Sequence, residues 1–229
     1  MSKLLQSLLV LGLMVVVNSP VQAEEGLEPI FDGKTFDGWH QLGGKADYEV
    51  VDGAIVGTSK TGTPNSFMST KRLYKNFILE LEFLPHDVLN CGIQIRSNCY
   101  SGPTTYVWKD GNGKQQQKTV SAGRVHGYQV EIDPSERAWS GGIYDEGRRG
   151  WLFNLNGKKE AQQAFKKGEW NHYRIEVVGD SIKTFVNGVP ATDLVDDMTP
   201  EGFIALQVHS SKVGGQQIQW RNIRLKELP

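Results

Sequence analysis

Gly127-Tyr128-Gln129-Val130-Glu131-Ile132-Asp133 is the stretch on which the fold turns. Gln129, Glu131 and Asp133 alternate with Tyr128, Val130 and Ile132. A period of two marks a β-strand with one face toward a core. A strand that only faces water has no need of a carboxamide and two carboxylates in a row. A sheet face that grips a polyhydroxylated ligand does.

Two other segments repeat the pattern. Gly92-Ile93-Gln94-Ile95-Arg96 sets Gln94 and Arg96 against Ile93 and Ile95. Phe203-Ile204-Ala205-Leu206-Gln207-Val208-His209 sets Ala205, Gln207 and His209 against Ile204, Leu206 and Val208. If these strands are neighbours, their polar sides merge into one concave patch that contains Arg96, Glu131 and His209.

Outward from these segments, alternation predicts strands at 48–51, 54–57, 66–70, 77–84, 92–96, 128–133, 142–144, 172–178, 181–186, 203–209 and 217–225. Turn chemistry separates them, as at Val51-Asp52-Gly53, Val178-Gly179-Asp180 and Asn187-Gly188. No stretch reads as an amphipathic helix of three turns. Many short strands with regular turns predict an all-β sandwich or barrel. The segment 97–125 is rich in Gly, Lys and Gln and reads as a long irregular loop. Its rings Tyr100, Tyr106 and Trp108 are candidates for a lid or a sugar-stacking platform.

The chain begins with a targeting pattern. Lys3 supplies a positive start, an apolar run spans 4–17, and Val21-Gln22-Ala23 reads as a cleavage site. The expectation is a signal peptide at 1–23, export to a periplasm or the outside, and one domain at 24–229. The apolar run is short for a membrane span, and no Cys follows it to carry a lipid anchor. The whole chain has 25 Lys and Arg against 26 Asp and Glu, a net charge of −1. That balance argues against nucleic acid and against an anionic membrane surface as partners. Export permits a Cys91–Cys99 disulfide, but only if the chain folds back near Ser97-Asn98. A fully extended strand would hold the two about 25 Å apart.

Several segments, in order along nearly the whole chain, resemble the 3-keto-disaccharide hydrolase family. They are Phe31-Asp32-Gly33-Lys34-Thr35-Phe36-Asp37-Gly38-Trp39, Asn90-Cys91-Gly92-Ile93-Gln94-Ile95-Arg96 and Gly141-Gly142-Ile143-Tyr144-Asp145, then Gly168-Glu169-Trp170-Asn171, Phe185-Val186-Asn187-Gly188 and Trp220-Arg221-Asn222-Ile223. The resemblance implies a concanavalin A-like jelly-roll β-sandwich of two antiparallel sheets. It also implies action on glycosides whose sugar carries a ketone at C3. Such a ketone acidifies the C2 proton, so chemistry needs a base, a stabiliser for the enolate and an acid for the leaving group. On that scheme Glu131 or His209 is the base, Arg96 holds the enolate, and Tyr144 or His209 assists departure. Gln94, Gln129, Gln207 and Asp133 are expected to bind sugar, with Trp108 as a stacking ring and Arg148 and Arg149 at the rim. Many relatives read Glu-x-Gln where this chain has Gln129-x-Glu131, so the position of the base stays open.

A divalent metal ion shared by His209 with Glu131 or Asp133 also stays open, because no ligand spacing demands one. Two alternatives accompany this reading. One is a non-catalytic carbohydrate-binding module on the same fold. The other is a retaining β-glucanase built on Glu131-Ile132-Asp133-Pro134-Ser135-Glu136. Pro134 argues against the latter, since it ends the strand before Glu136.

Overall fold

A computed structural model describes residues 26–229. The expected signal segment lies outside the described residues. The alternating segments form strands, which run in chain order β1 Glu28–Pro29, β2 Trp39–Gly43, β3 Asp47–Val51, β4 Ala54–Thr58, β5 Ser66–Thr70 and β6 Phe77–Leu84. Next come β7 Cys91–Asn98, β8 Thr104–Lys109, β9 Gln115–Val120, β10 His126–Ile132, β11 Ile143–Glu146 and β12 Gly150–Phe153. The short helix α1 Lys159–Ala164 precedes β13 Asn171–Val178, β14 Ser181–Val186, β15 Val189–Val195, β16 Phe203–Val208 and β17 Gln217–Glu227. Among the described residues no helix is long and apolar enough to cross a membrane.

Two antiparallel sheets stack as a sandwich. One has the order β15-β14-β13-β6-β17-β4-β3, with β1 on β17. The other has the order β12-β11-β10-β7-β16-β5-β2. The three polar-faced strands are therefore neighbours: β10 pairs with β7, and β7 with β16. Their apolar sides, Tyr128, Val130 and Ile132 with Ile93, Ile95, Ile204 and Leu206, bury against Leu79, Leu81, Phe83, Tyr173, Ile175 and Trp220 of the facing sheet. Period-two alternation is what makes this two-layer core, since each strand gives alternate side chains to it.

Local irregularities change which way some side chains point. In β17 the register shifts between Arg221 and Arg224, with Asn222 at φ 52°. Trp220 and Ile223, three apart, therefore both face the core. In β7 three residues, 95–97, are accommodated opposite two on each neighbour, with Arg96 at φ 44°. This bulge reverses the alternation at Arg96.

The segment 97–125 differs from the irregular loop expected. It contains a β-hairpin, β8 on β9, with Thr104 opposite Val120 and Lys109 opposite Gln115. Gln115-Gln116-Gln117-Lys118 gives no apolar alternation, because the hairpin stands in solvent on most of its surface. Its base is anchored where the Tyr106 hydroxyl meets His126 Nε2 at 2.7 Å. Strands β2, β12 and β15 were not expected from the sequence. In β15, Pro190 sits on an edge strand, where a missing N–H is tolerated. Cys91 and Cys99 are both free, because β7 runs extended between them without folding back.

Candidate active site

The polar face of the sheet that contains β10 forms the floor of a cavity of about 980 Å³. Loops lining it include Asp87, Asn90 and the segment 133–138, and Phe165 and Lys167 follow α1. Register sets the floor. Glu131 lies opposite Gly92, and Gln129 lies between Gln94 on one side and Tyr144 on the other. Gln207 is opposite Gly92 on the next strand.

Glu131 is 4% exposed, at the edge of this cavity. Asn90 Nδ2 donates to its Oε1 at 2.5 Å, and Gln129 Nε2 donates to its Oε2 at 2.8 Å. Gln129 is itself oriented. Its Oε1 accepts from Gln94 Nε2 at 2.6 Å and from Gln207 Nε2 at 2.7 Å, so its NH2 must face Glu131. Ser97 continues the chain by donating to Gln94 Oε1 at 2.7 Å. Below, the Tyr173 hydroxyl donates to the Glu131 carbonyl, which fixes the strand. Burial pushes the Glu131 carboxyl up to about 7; the two amide donors and Arg137 pull it back, and Asp133 adds to the rise.

Asp133 also lines the cavity, but both its oxygens are spent on its own loop. Oδ1 accepts from the Ser135 amide and hydroxyl, and Oδ2 from Arg137 Nε at 2.7 Å and the Trp139 amide. Burial would raise its pKa, yet the Ser135 and Arg137 donors outweigh that and hold it below the usual carboxylate value. Asp133 thus shapes the loop and offers no free oxygen to a sugar.

His209 follows β16 at the cavity edge. Its Nδ1 lies 2.7 Å from the Ser210 carbonyl oxygen. A carbonyl only accepts, so Nδ1 carries the hydrogen and Nε2 is the unprotonated nitrogen of the neutral ring. Tyr144 on β11 faces the same cavity and packs edge-on to Trp151, with centroids 5.4 Å apart. Burial raises its phenol pKa and keeps it protonated near neutral pH. A second hollow of about 520 Å³ adjoins the first, and Tyr144, Glu146 and His209 line both.

Glu131, His209, Gln129 and Asp133 are brought together, as the alternation predicted, and Tyr144, expected from the family resemblance, lines the same cavity. Six other candidates stand elsewhere, face differently or are sealed beneath the floor. Arg96 is turned out of the patch by the β7 bulge. Its guanidinium donates to the carbonyls of Lys75 and Gly179 and to Asn76 Oδ1. Gln94 and Gln207 do share the polar face, but both are fully buried and hold Gln129 instead of a ligand. Arg148 is not at the rim; its side chain is enclosed, bonded to Asp145 and to Thr199 Oγ1 at 2.6 Å. Trp108 lies on the hairpin, beside a separate shallow hollow with Arg149 and Asp196. Arg149 itself is tied to Asp145 and Asp196.

Asn90, Arg137 and Trp151 were missed as site residues. Asn90 stood inside a quoted motif, and Arg137 stands four residues after Asp133, a spacing that allows an ion pair. Trp151 carried no signal of its own. The donor set does not match a metal site. Among the described residues no group of three or more His, Cys, Asp or Glu could hold an ion, and the oxygens of Glu131 and Asp133 already accept other donors.

Comparison with known proteins gives these likenesses. Residues 26–226 match the 3-keto-alpha-glucoside-1,2-lyase-like domain. A 3-keto-disaccharide hydrolase of Bacteroides thetaiotaomicron is 26% identical over 248 residues, covering 91% of this chain and 80% of that protein. A candidate glycosyl hydrolase structure from Parabacteroides distasonis has a TM-score of 0.57 at 16% identity, covering 90% of this chain and 95% of that one. The carbohydrate-binding module CBM66 of Bacillus subtilis has a TM-score of 0.52 at 14% identity, covering 83% and 96%. At these identities the two solved structures share the fold with this chain.

Proposed function

The chain belongs to the 3-keto-alpha-glucoside-1,2-lyase-like family, and from that premise we propose that it cleaves 3-keto-glycosides by removing the proton at C2 of the keto sugar. The observation that carries this reading is the Glu131 carboxyl, buried at the cavity edge, held by two amides and poised near neutral pH. A general base is most effective when its pKa lies near the working pH. A module that only bound sugar would have no use for a carboxyl raised in this way.

Glu131 takes the C2 proton. The C–H electron pair becomes the C2–C3 double bond of an enolate, with its charge on the C3 oxygen. The charge then returns, the C3 carbonyl re-forms, C1–C2 becomes a double bond, and the C1–O bond breaks. The departing oxygen receives a proton from the Tyr144 hydroxyl, or from His209 only when its ring is doubly protonated, since Nε2 of the neutral ring carries no hydrogen. Both residues line the boundary between the two hollows, so the keto sugar occupies the larger one and the leaving group the smaller. The glucanase pattern is disfavoured: β10 ends at Ile132, and Glu136 lies in the loop beyond Pro134. The leading segment 1–23 suggests that the reaction occurs in a periplasm or outside the cell.

The test is incubation of the mature protein with a 3-keto-glucoside and with its unoxidised parent, with and without chelator. Release from the keto substrate alone is expected, with Glu131→Gln slower by about 10²–10⁴-fold and His209→Ala also impaired. Cleavage of the parent would favour the glucanase reading. Glycan binding without release from either compound would leave a binding module.

A further inference from the structure

Removal of the C2 proton places negative charge on the oxygen of the adjacent carbon, C3. Base and cation must therefore be near neighbours, and Arg96 is turned away. We propose that Arg137 is a catalytic residue whose guanidinium binds the C3 oxygen of the keto sugar and stabilises the enolate. This rests on the reading of the site as a 3-keto-glycoside lyase.

Four observations carry it. Arg137 contributes the one guanidinium among the described residues lining the large cavity. Its Nη2 lies 3.8 Å from Glu131 Oε1, too far for a hydrogen bond but close enough for the two groups to reach adjacent atoms of one sugar. Its Nε is bonded to Asp133 Oδ2 at 2.7 Å, which fixes the plane and leaves the terminal nitrogens for a ligand. Its guanidinium carbon also sits 4.6 Å and 5.1 Å from the ring centroids of Trp139 and Trp151. Those rings are in turn packed edge to face, with centroids 4.8 Å apart.

The loop is built to hold this pose. The Ala138 amide donates to the Ser135 carbonyl at 3.0 Å, closing a turn across Arg137, and Ala138 takes φ 52°. The Arg137 side chain is 40% exposed where Glu131 is 5% exposed, so the cation reaches into the cavity while the carboxyl stays at its wall. A pre-positioned donor of this kind needs no reorganisation when charge develops.

Replacement of Arg137 by Gln is expected to lower kcat on a 3-keto-glucoside by about 10²–10³-fold, with KM within a few-fold. Arg137→Lys should recover part of the loss. Added guanidinium ion should restore activity to Arg137→Ala. The ascending limb of the pH–rate profile should also move to higher pH in the Gln variant, because a positive neighbour of Glu131 is lost. The other groups around that carboxyl, Asn90, Gln129, Asp133, Tyr144, Tyr173, Cys91 and His209, are unchanged in that variant. A merely structural arginine would also move the profile through its charge, but would leave no loss of kcat on the high-pH plateau for guanidinium to repair. Wild-type release from the keto substrate, together with an Arg137→Gln variant of undiminished kcat or an unrescued Arg137→Ala that folds by circular dichroism, would overturn the role of Arg137 alone. A wild type that releases nothing would overturn the lyase reading and this role with it.

Discussion

At the scale of single residues, the site depends on how much of Glu131 water can reach. Desolvation lifts its carboxyl to about 7, against an ordinary value of 4.5. As the base it must be ionised, so kcat/KM on a 3-keto-glucoside should rise with pH to a plateau, with a midpoint near 7. Stopped assays from pH 5 to 9 check this; a profile already flat at pH 5.5 would remove Glu131 from the role. The position of Glu131 was legible in the sequence, because its side of the strand follows from counting by two. The rest of its environment was not. Asn90 reaches it from a loop 41 residues away in sequence, and Gln207 orients Gln129 across 78. Gln94 and Gln207 were placed on the right face, but whether that face was open or covered depended on neighbours the pattern does not name.

At the scale of elements, β7 does two different things within its eight residues. Its first half is regular and delivers Gly92 to the spot facing Gln129. A Cβ there would lie 2.5 Å from Gln129 Cγ, so the absent side chain is what lets the amide lie across the strand. Gly92→Ala should push Gln129 off Glu131, lowering kcat/KM about 10-fold or more and stability by about 1–3 kcal/mol. Kinetics and urea unfolding on the same sample check it; wild-type values for both would mean that Gln129 moves aside without consequence. The second half of β7 carries the bulge that sends Arg96 to Lys75, Asn76 and Gly179. Nothing in Gln94-Ile95-Arg96-Ser97 announces an extra residue, so perfect alternation assigned Arg96 to the wrong side. The β8–β9 hairpin was hidden for a related reason. An element that exposes most of both faces has little need of apolar alternation, and its pairing is set by opposing strands and by the turn at Asp110, whose Oδ1 accepts the Asn112 and Lys114 amides.

At the scale of the whole molecule, the site opposes the fold that carries it. A carboxyl with a raised folded pKa favours folding while it is protonated. That contribution is complete below about 4.5 and is lost as pH rises through about 7. The shift corresponds to stability on the order of 3 kcal/mol. The stability of wild type relative to Glu131→Gln should therefore fall by about that much between pH 4.5 and 8. Paired denaturant titrations across this range check it, and a difference that stays constant would mean that Glu131 is not desolvated. By itself the sequence determined the all-β class and the polar side of each strand that carries Gln129, Glu131 and His209, while periodicity left sandwich or barrel open and only the family resemblance implied the sandwich. The class and the polar sides follow from strand periodicity and turn residues, which act between near neighbours in the chain. Only the tertiary structure decided that Arg96 leaves the patch, that Gln94 and Gln207 are sealed beneath Gln129, and that Arg137 stands beside Glu131. Each of these depends on strands or loops that meet only when the sheets assemble, and burial is a property of that assembly.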